Sequence, residues 1–343
     1  MRTSPLADLY RQRQQPVTGY RGAISASGGG ESAQLLPAWP PAQTLLYDAC
    51  WRGGLGLEGP DARRWLNGMI SANLRDLRPG HVAPSFQLDP KGHILATLDV
   101  LCLGEDRFLL VTEEDQREEL LARLRRFVFI SKLTLSESPD TALLLRGPGW
   151  RSVWTDAPTL AAGECAAVTV EGAAGVAAVA APGGVPQVEI LAPPAAVAAL
   201  WQRWETQVLA AGTEVFERDR ILSRVPRYGV DITTAELPQE SGQMDRLDFT
   251  KGCYVGQEIV ERIRARGAVH RHWASFAFRA AAAPGAAVVC EGKEAGKLTS
   301  ITRRHRADGE SGGDWLGLGY IRDPHDVPGT PISAGGVGGQ VEA

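Results

Sequence analysis

The sequence predicts an α+β protein that ends in a small antiparallel β-barrel, and three observations support this fold class. Strand patterns with hairpin turns are mixed with helical patterns through the middle of the chain. After Trp273 only short strand patterns separated by Gly-rich turns remain, which is typical of a small barrel. A chain of 343 residues exceeds one ordinary core, so two or three domains are expected.

The first part of the chain is predicted to be an arm. Residues 1–43 are rich in Gly, Ser, Pro and Gln, contain the run Gly28-Gly29-Gly30 and show little periodicity. This composition is typical of a segment that lies over the surface of a folded body. Regular structure is therefore predicted to begin at Thr44.

Residues 44–140 are predicted to form a first α+β module. Pro60 suits the start of a helix that carries Trp65 inward. The turn signal Asp89-Pro-Lys-Gly92 lies between two apolar runs and predicts a β-hairpin. Thr112 is predicted to cap the helix that follows it.

Residues 141–272 are predicted to hold a second and a third α+β module. An apolar stripe from Val197 to Val208 predicts a helix that ends at Gly212. Another helix is predicted over residues 214–225. Residues 273–343 then form the predicted barrel.

Composition and charge exclude several classes of function. The net charge of −4 gives no overall attraction to nucleic acid or anionic membranes, so no direct nucleic-acid binding is expected. No apolar run approaches the roughly 18 residues of a membrane helix. The five cysteines form no CxxC pair, and only His270-Arg-His272 brings histidines together, so no metal site is assigned. No secretion signal is recognised, and the expected location is the cytoplasm, or the mitochondrial matrix for a eukaryotic source.

The segment that most indicates chemistry is Lys251-Gly-Cys-Tyr-Val-Gly-Gln-Glu258. Cys253 lies just before a predicted helix, where free amides and the helix dipole favour a thiolate. The cation of Lys251 favours it further. From spacing alone, a small buried cysteine that only fills space remains an open alternative.

Other residues of the segment support a site. Gly252 and Gly256 remove side chains on either side of the thiol, so a ligand or another backbone can approach closely. Glu258 and Arg262 are four apart in the acid-first order and can form an ion pair on the helix.

The octapeptide resembles the signature of the folate-binding YgfZ family, and the Ile-Val-Glu-Arg and Arg-Gly that follow also fit it. The related glycine-cleavage T-protein is similar here but lacks the cysteine. Three further parts resemble this superfamily, namely residues 57–68, residues 227–232 and the strands around Gly296 and Leu316. The resemblance spans residues 44–335.

The resemblance implies three α+β modules arranged as a ring around a channel that binds tetrahydrofolate or a one-carbon derivative. It also implies a role in assembly or repair of iron–sulfur clusters. The implied partners are cluster-assembly proteins or iron–sulfur client enzymes, such as radical tRNA-modifying enzymes. In that role Cys253 would be the nucleophile or redox thiol, with Lys251 tuning its charge.

The resemblance gives the rest of the octapeptide a supporting role, in which Tyr254, Gln257 and Glu258 shape the site by hydrogen bonding. Each has a plainer interpretation. Tyr254 can be a core aromatic, Gln257 a helix cap, and Glu258 only the partner of Arg262.

Three residues are predicted folate contacts by the same resemblance. Glu189 matches the acid that grips the pterin, since a carboxylate can accept paired hydrogen bonds from the pterin N–H and amino groups. Tyr228 could stack on the ring, and Asp231 completes the set. The alternatives are an exposed strand glutamate, a packed tyrosine and a turn aspartate.

One departure from the T-protein bears on activity. Ala96 and Thr97 stand where T-proteins carry paired aspartates, one of which aids aminomethyl transfer. True glycine cleavage is therefore not expected. Asp99 shares the strand face of Thr97 but is not expected to substitute.

Seven arginines cluster in two short segments of a slightly acidic chain, at positions Arg262, Arg264, Arg266, Arg271, Arg303, Arg304 and Arg306. They form either a solvated face or a site for the glutamate tail of folate or an RNA-bearing client. Three functions are thus open: a folate-dependent accessory factor for iron–sulfur proteins, a folate-dependent aminomethyl- or methyltransferase, and a non-catalytic folate-sensing scaffold.

Overall fold

A computed structural model describes residues 1–26, 41–267, 269–304 and 315–342. The Gly28–Gly30 run and Arg306 lie outside these ranges. The helices within them are α1 (Ala7–Gln12), α2 (Ala62–Met69), α3 (Glu114–Arg125), α4 (Trp150–Val153), α5 (Pro194–Trp204), α6 (Thr213–Leu222) and α7 (Gln257–Arg266). No helix in the described ranges has both the length and the apolar character needed to cross a membrane.

Strands make up most of the remaining regular structure. The first ten are β1 (Arg2–Thr3), β2 (Val17–Tyr20), β3 (Ala23–Ala26), β4 (Leu45–Asp48), β5 (Arg52–Glu58), β6 (Val82–Leu88), β7 (Ile94–Gly104), β8 (Arg107–Glu113), β9 (Thr134–Glu137) and β10 (Thr141–Arg146). The others are β11 (Cys165–Val170), β12 (Ala173–Ala180), β13 (Gln187–Ala192), β14 (Leu209–Ala211), β15 (Arg271–Phe278), β16 (Ala287–Cys290), β17 (Lys293–Arg303), β18 (Trp315–Arg322), β19 (Pro331–Ala334) and β20 (Val337–Glu342).

Two sheets form the body of the molecule. One has six strands in the order β11-β12-β13-β10-β4-β14, and the other has five in the order β6-β7-β8-β5-β9. A buried cluster joins them, with Leu101 and Val111 of the five-stranded sheet meeting Leu144 and Leu191 of the six-stranded sheet. Helix α5 covers the outer face of the six-stranded sheet, and α2 and α3 cover that of the five-stranded sheet.

The predicted hairpin at residues 89–92 is confirmed, and its second strand shows how the sequence sorts side chains between two environments. Ala96 and Leu98 of β7 are buried in the core beneath α2 and α3. Because side chains of a strand alternate between its faces, Thr97 and Asp99 point to the opposite side. That side is only partly buried.

The prediction that regular structure begins at Thr44 is wrong for residues 1–26. Strands β1, β3 and β2 form a small sheet of their own, and α1 packs against the six-stranded sheet. The anchor is the buried carboxylate of Asp48, which accepts hydrogen bonds from Ser4 Oγ (2.5 Å) and Tyr10 Oη (2.7 Å). Composition missed this segment because a few long-range contacts hold it, not local periodicity.

Two predicted helix ends also differ from the structure. Thr112 does not cap α3; it lies in β8, where its hydroxyl donates to the carbonyl oxygen of Thr97 at 2.8 Å. Helix α5 ends at Trp204, before Val208, because residues 209–211 pair with β4 as a parallel edge strand.

The sheets do not follow the predicted module boundary at residue 140. Strand β4, early in the chain, pairs with β10 and β14 and so belongs to the later six-stranded sheet. Within the described residues, 213–267 contain helices and turns but no strand beyond an isolated bridge between Tyr228 and Ile232. The C-terminal part forms a closed six-stranded barrel in the order β15-β18-β17-β16-β19-β20.

A buried carboxylate attaches this barrel to the body. Asp231 accepts hydrogen bonds from Arg220 of α6 (2.7 Å) and from Thr299 (2.5 Å) and Ser300 (2.6 Å) of β17. It also accepts one from the backbone N–H of Arg227 (2.9 Å), which closes the local turn. The side chain of Asp231 is fully buried, so every one of these contacts is shielded from water.

We predict that Asp231→Ala lowers the free energy of unfolding by about 3 kcal/mol, because it leaves the buried Arg220 cation short of a partner. Urea denaturation followed by tryptophan fluorescence measures this. The matched control is Asp245→Ala, which removes an exposed carboxylate without an ion pair among the described residues. A loss below about 1 kcal/mol for Asp231→Ala would show that the network contributes little.

Candidate functional site

Lys251 fastens the octapeptide to the end of α2. Its side chain is buried, and its ammonium donates to the carbonyl oxygens of Asn67 (2.6 Å), Ile70 (2.7 Å) and Ala72 (2.6 Å). These carbonyls lie at and just beyond a helix C-terminus, where such groups lack intrahelical partners and attract a cation. An ammonium has three N–H donors. All three are therefore engaged, and none is left for Cys253.

The surroundings of Lys251 act on its charge in opposite directions. Burial lowers the pKa of Lys251 to about 7. The three carbonyls and the face of the Tyr254 ring, 4.8 Å from Nζ, hold the protonated form in place. A neutral amine would have only two hydrogens for these three acceptors. The geometry gives Lys251 a positioning role; the predicted tuning of the thiol stays a prediction.

Cys253 is exposed, whereas the other cysteines, Cys50, Cys102, Cys165 and Cys290, are buried. The alternative in which Cys253 is a buried filler is therefore wrong. Burial raises the pKa of the Cys165 thiol to about 12, which makes that thiol inert at neutral pH. Helix α7 begins at Gln257, four residues after the exposed cysteine, as the sequence predicted.

The two glycines of the octapeptide differ in what they allow. Gly256 adopts φ = 87° at the N-cap of α7, and a Cβ there would lie 2.6 Å from the carbonyl oxygen of Asp89. It therefore permits the close approach of another backbone, the hairpin turn. A Cβ on Gly252 would meet nothing within 4 Å, so Gly252 instead leaves open space beside the thiol.

The remaining octapeptide residues divide between core and surface. Tyr254 is buried with Phe86 and Val260 in a small cluster, in agreement with its interpretation as a core aromatic. Burial raises the pKa of Tyr254 to about 12. Glu258 is exposed, and the predicted ion pair with Arg262 is not formed among the residues that the structure describes.

A cleft lies where the two large sheets meet the segment from α6 to residue 246. Its empty space, open mouth included, is about 870 Å³. Glu189 of β13 and Tyr228 both line it, so the structure brings two of the predicted folate contacts together. Glu189 is 8% exposed, which excludes the alternative of an exposed strand glutamate. Asp231 does not line the cleft, because its carboxylate is enclosed at the barrel junction.

A chain of alternating charges runs along the wall of the cleft. Arg52 donates to Glu189 from Nε (2.8 Å) and from a terminal nitrogen (3.2 Å), and that terminal nitrogen also donates to Asp99 (2.9 Å). Arg246 donates to the other oxygen of Asp99 at 3.1 Å. Burial raises the pKa of Asp99, but Arg246 and Arg52 outweigh burial and the net shift is downward. The carboxylate is therefore held ionised.

The structure also explains the departure noted at the hairpin. Ala96 is buried in the core, while Thr97 and Asp99 line the cleft on the opposite face of β7. Thr97 is held by its backbone N–H, which donates to the side-chain oxygen of Gln116 at 2.9 Å. Asp99 thus places one carboxylate in the cleft, two residues beyond the position where the T-protein pattern has its aspartates.

Several cleft residues were not predicted from the sequence. Arg52 and Arg246 are ordinary charged residues in the sequence, and only the fold shows that they pair with carboxylates of the cleft wall. Arg21 also lines the cleft, although it belongs to the predicted arm. It is buried and forms ion pairs with Glu113 and Glu217. The positive φ of Arg21 (48°) has no signal in the sequence, since a non-glycine residue there is unusual.

Cys253 and the cleft are separate features. Cys253 is not among the residues that line the cleft. The two are connected through the chain from Arg246 to Lys251: the hydroxyl of Ser71 donates to the carbonyl oxygen of Arg246 at 2.5 Å, and the N–H of Asp248 donates to the carbonyl oxygen of Ser71 at 3.1 Å. The loop after α2 therefore fixes both the cleft residue Arg246 and the octapeptide.

The chain is similar in sequence and in fold to known families and proteins. Residues 42–251, more than half of the chain, match the family model described as the GCVT N-terminal domain. An aminomethyltransferase of Stenotrophomonas maltophilia is 29% identical over 240 residues, which cover 65% of this chain and 64% of that protein. A tRNA-modifying protein YgfZ of Pectobacterium carotovorum is 26% identical over 253 residues, 70% of each chain.

The extent of these matches varies. A chloroplastic relative from Arabidopsis thaliana is 27% identical over 136 residues, 38% of this chain and 30% of that protein. The chain thus spans less than two thirds of the length of some of its relatives. The aminomethyltransferase T of the glycine cleavage system from Bartonella henselae superposes with a TM-score of 0.89 over 100% of this chain and 97% of its own, at 19% identity. That likeness confirms the predicted fold.

We predict that Lys251→Met lowers the free energy of unfolding by about 3 kcal/mol, because the aliphatic stem is kept while three carbonyls lose their donor. Thermal and urea denaturation measure the change. Lys132→Met is the matched control, since Lys132 is exposed. Equal stability of the two variants would mean that water replaces the ammonium at the end of α2 and that Lys251 has another task.

Proposed function

We propose that this chain is a tetrahydrofolate-binding accessory protein for iron–sulfur enzymes. The basis is that the chain belongs to the GCVT N-terminal domain family and is a YgfZ-like member of the glycine-cleavage T-protein superfamily. In this proposal the protein supports assembly or repair of iron–sulfur clusters in clients such as radical tRNA-modifying enzymes. Cys253 is its reactive thiol, and it works in the cytoplasm. Tetrahydrofolate, when bound, supplies one-carbon chemistry or is sensed as a signal.

The observation that carries the folate part of the proposal is that Glu189 and Tyr228 line the same cleft. A carboxylate that accepts two hydrogen bonds from an arginine still has lone pairs for the N–H and amino groups of a pterin. Arg52 fixes the Glu189 carboxylate in orientation, since it donates to both oxygens. Tyr228 supplies an aromatic face for stacking on the pterin ring.

Unpaired polar atoms in the cleft lining also fit such a ligand. Trp51 Nε1 and Gln243 Oε1 are buried and have no hydrogen-bond partner among the described residues, and both residues line the cleft. A buried donor or acceptor without a partner is costly. A pterin carries both donors and acceptors at its edge, so it can satisfy both kinds of atom at once.

The thiol part rests on the octapeptide. The YgfZ resemblance assigns a role to the cysteine, and Cys253 has the exposure that a reactive thiol needs. Lys251 and Gly256 hold the segment against α2 and the hairpin turn, so the thiol is presented from a fixed loop. Its distinct position from the cleft means that folate and the thiol act from different places on one protein.

A folate-dependent aminomethyl- or methyltransferase is the second candidate, and one observation favours it. Asp99 places an ionised carboxylate in the cleft beside Thr97. Both oxygens of this carboxylate are taken by Arg52 and Arg246, which weakens it as a base. Incubation with aminomethylated carrier protein and tetrahydrofolate decides the matter: release of ammonia and methylene-tetrahydrofolate would establish this activity.

We predict that the protein binds tetrahydrofolate and that Glu189→Gln weakens binding about 10- to 100-fold, as expected when a charged acceptor is lost. Titration calorimetry and quenching of tryptophan fluorescence measure the affinity, since Trp51 lines the cleft. Glu118→Gln, an exposed change on α3, is the matched control. Absence of binding by the unmodified protein would reject the folate proposal, and an unchanged Glu189→Gln affinity would move the pterin elsewhere.

We predict that Cys253→Ala abolishes support of a radical iron–sulfur tRNA-modifying enzyme in a bacterial host that lacks its own family member. The modified tRNA is measured with the unaltered protein and the variant at equal levels. As a check on the state of the thiol, maleimide labels one cysteine in the native protein and none in Cys253→Ala, because the other four are buried.

Equal rescue by both forms would contradict a role for the thiol and favour the non-catalytic folate-sensing scaffold. In that case Glu189→Gln, and not Cys253→Ala, should lose rescue. Failure of the unaltered protein to rescue, with normal folate binding, would separate the iron–sulfur role from the folate proposal.

A further inference from the structure

A second groove lies beside the hairpin turn and is lined by residues other than those of the cleft. The exposed stripe of α7 forms one side of it, and the turn between β6 and β7 forms another, together with residues 269–270. We call it the α7 groove. Its empty space, open mouth included, is about 770 Å³. The stripe consists of residues four or three apart, Ile259, Arg262, Ile263 and Arg266, which therefore share one face of the helix.

The groove is strongly cationic although the chain carries a net charge of −4. Lys91, Arg262 and Arg266 line it, are exposed and form no ion pair with any described residue. The acidic member of the lining, Glu240, is neutralised by Arg271, which donates to both of its oxygens at 2.9 and 3.0 Å. Three uncompensated positive charges thus face one small space.

The floor of the groove is apolar. Ile259, Ile263, Leu237 and Val269 line it and are only partly buried. Partly exposed aliphatic side chains in the middle with arginines around them are typical of protein–protein interfaces. Such a surface gains from burial of an apolar side chain and from charges opposite in sign to its own.

We propose that the α7 groove docks an acidic, amphipathic segment of a partner protein. This names the kind of partner that the proposed accessory function requires, but it stands on the groove alone. Helix α7 starts within the octapeptide, at Gln257, so a docked partner lies next to the loop that presents Cys253. Docking therefore places the partner near the thiol without using the folate cleft.

Two other polyanions fit the lining less well. Single-stranded RNA is usually bound by stacking of bases on aromatic side chains. The groove offers only the small rings of His93 and His270, with no Phe, Tyr or Trp, and His93 is already hydrogen-bonded to Asp89 at 3.1 Å. The γ-linked glutamate tail of a folate has carboxylates but no apolar side chains, so it would leave the aliphatic floor uncovered. The apolar floor and the cations together favour a peptide with both leucine-like and acidic side chains.

Fluorescence anisotropy with the full chain and no folate tests this proposal. The probe is a labelled peptide of about 12 glutamate and leucine residues, long enough to span the roughly 10 Å between residues 259 and 266 of a helix. Three comparison probes have the same label: a peptide with serine in place of leucine, γ-linked hexaglutamate, and an oligouridylate.

The leucine-containing peptide should bind most tightly and lose affinity with added salt. The variant Arg262→Glu/Arg266→Glu should lose about tenfold or more in affinity, because both charges become repulsive. Arg107→Glu/Arg303→Glu, the same change at two exposed arginines elsewhere, should bind as the unaltered protein does. If the charge-reversed protein is poorly folded by circular dichroism, Arg262→Gln/Arg266→Gln replaces it and should lose several-fold.

The other outcomes overturn the proposal. Tighter binding of oligouridylate, lost in the same variants, would make the groove a nucleic-acid site. Equal binding of hexaglutamate and the leucine-containing peptide would make it a site for glutamate tails. No peptide binding up to about 1 mM, or equal loss in both double variants, would leave a solvated basic face. None of these results bears on tetrahydrofolate binding, because the assay contains no folate.

Discussion

The register of strand β7 links the core, the wall of the cleft and the hairpin turn in this protein. Ala96 and Leu98 fill the core beneath two helices, and the same alternation sends Thr97 and Asp99 into the cleft. The turn before the strand touches Gly256 and lines the α7 groove. A shift by one residue would bury Asp99 among aliphatic side chains. Burial of an unpaired charge costs far more free energy than exposure of an aliphatic side chain. Core packing and the polarity of the cleft thus specify the same register.

The octapeptide depends on a second constraint, the end of α2. A helix that ends inside a protein leaves carbonyl oxygens that need donors. Here the ammonium of Lys251 supplies three donors. Helix α7 then starts after Gly256, where any other side chain would meet the carbonyl oxygen of Asp89. Two of the eight residues, Lys251 and Gly256, are thus explained by folding alone. Cys253 is exposed, so packing does not explain it.

Much of the fold could be predicted from the sequence, because hairpins and barrel strands are written in local patterns. The turn at residues 89–92 and the strands after Trp273 are examples. The sheet in residues 1–26 could not be predicted, because its stability depends on Tyr10 and Ser4 reaching Asp48. Of the candidate site, the motif pattern singled out Cys253, which is exposed, and the resemblance singled out Glu189 and Tyr228, which line one cleft; their roles stay predictions. Asp231 lies outside the cleft, and the sequence could not show this because a turn aspartate and a ligand-binding aspartate have the same sequence signature. Arg52 and Arg246 were missed because ion pairs between distant parts of the chain have no sequence signature.

The alternating charges of the cleft wall also constrain the order in which the protein can fold. Their members, at positions 52, 99, 189 and 246, come from widely separated parts of the chain. On a ribosome, Arg52 and Asp99 emerge early and can pair with each other. Arg52 still lacks Glu189, and Asp99 still lacks Arg246, until much more of the chain has been made. Contacts of such long sequence separation form slowly, since the intervening chain must first be closed into loops. The cleft is therefore completed only after the five- and six-stranded sheets have met, and in a nascent chain that ends before residue 246 Asp99 has at most Arg52 as its partner.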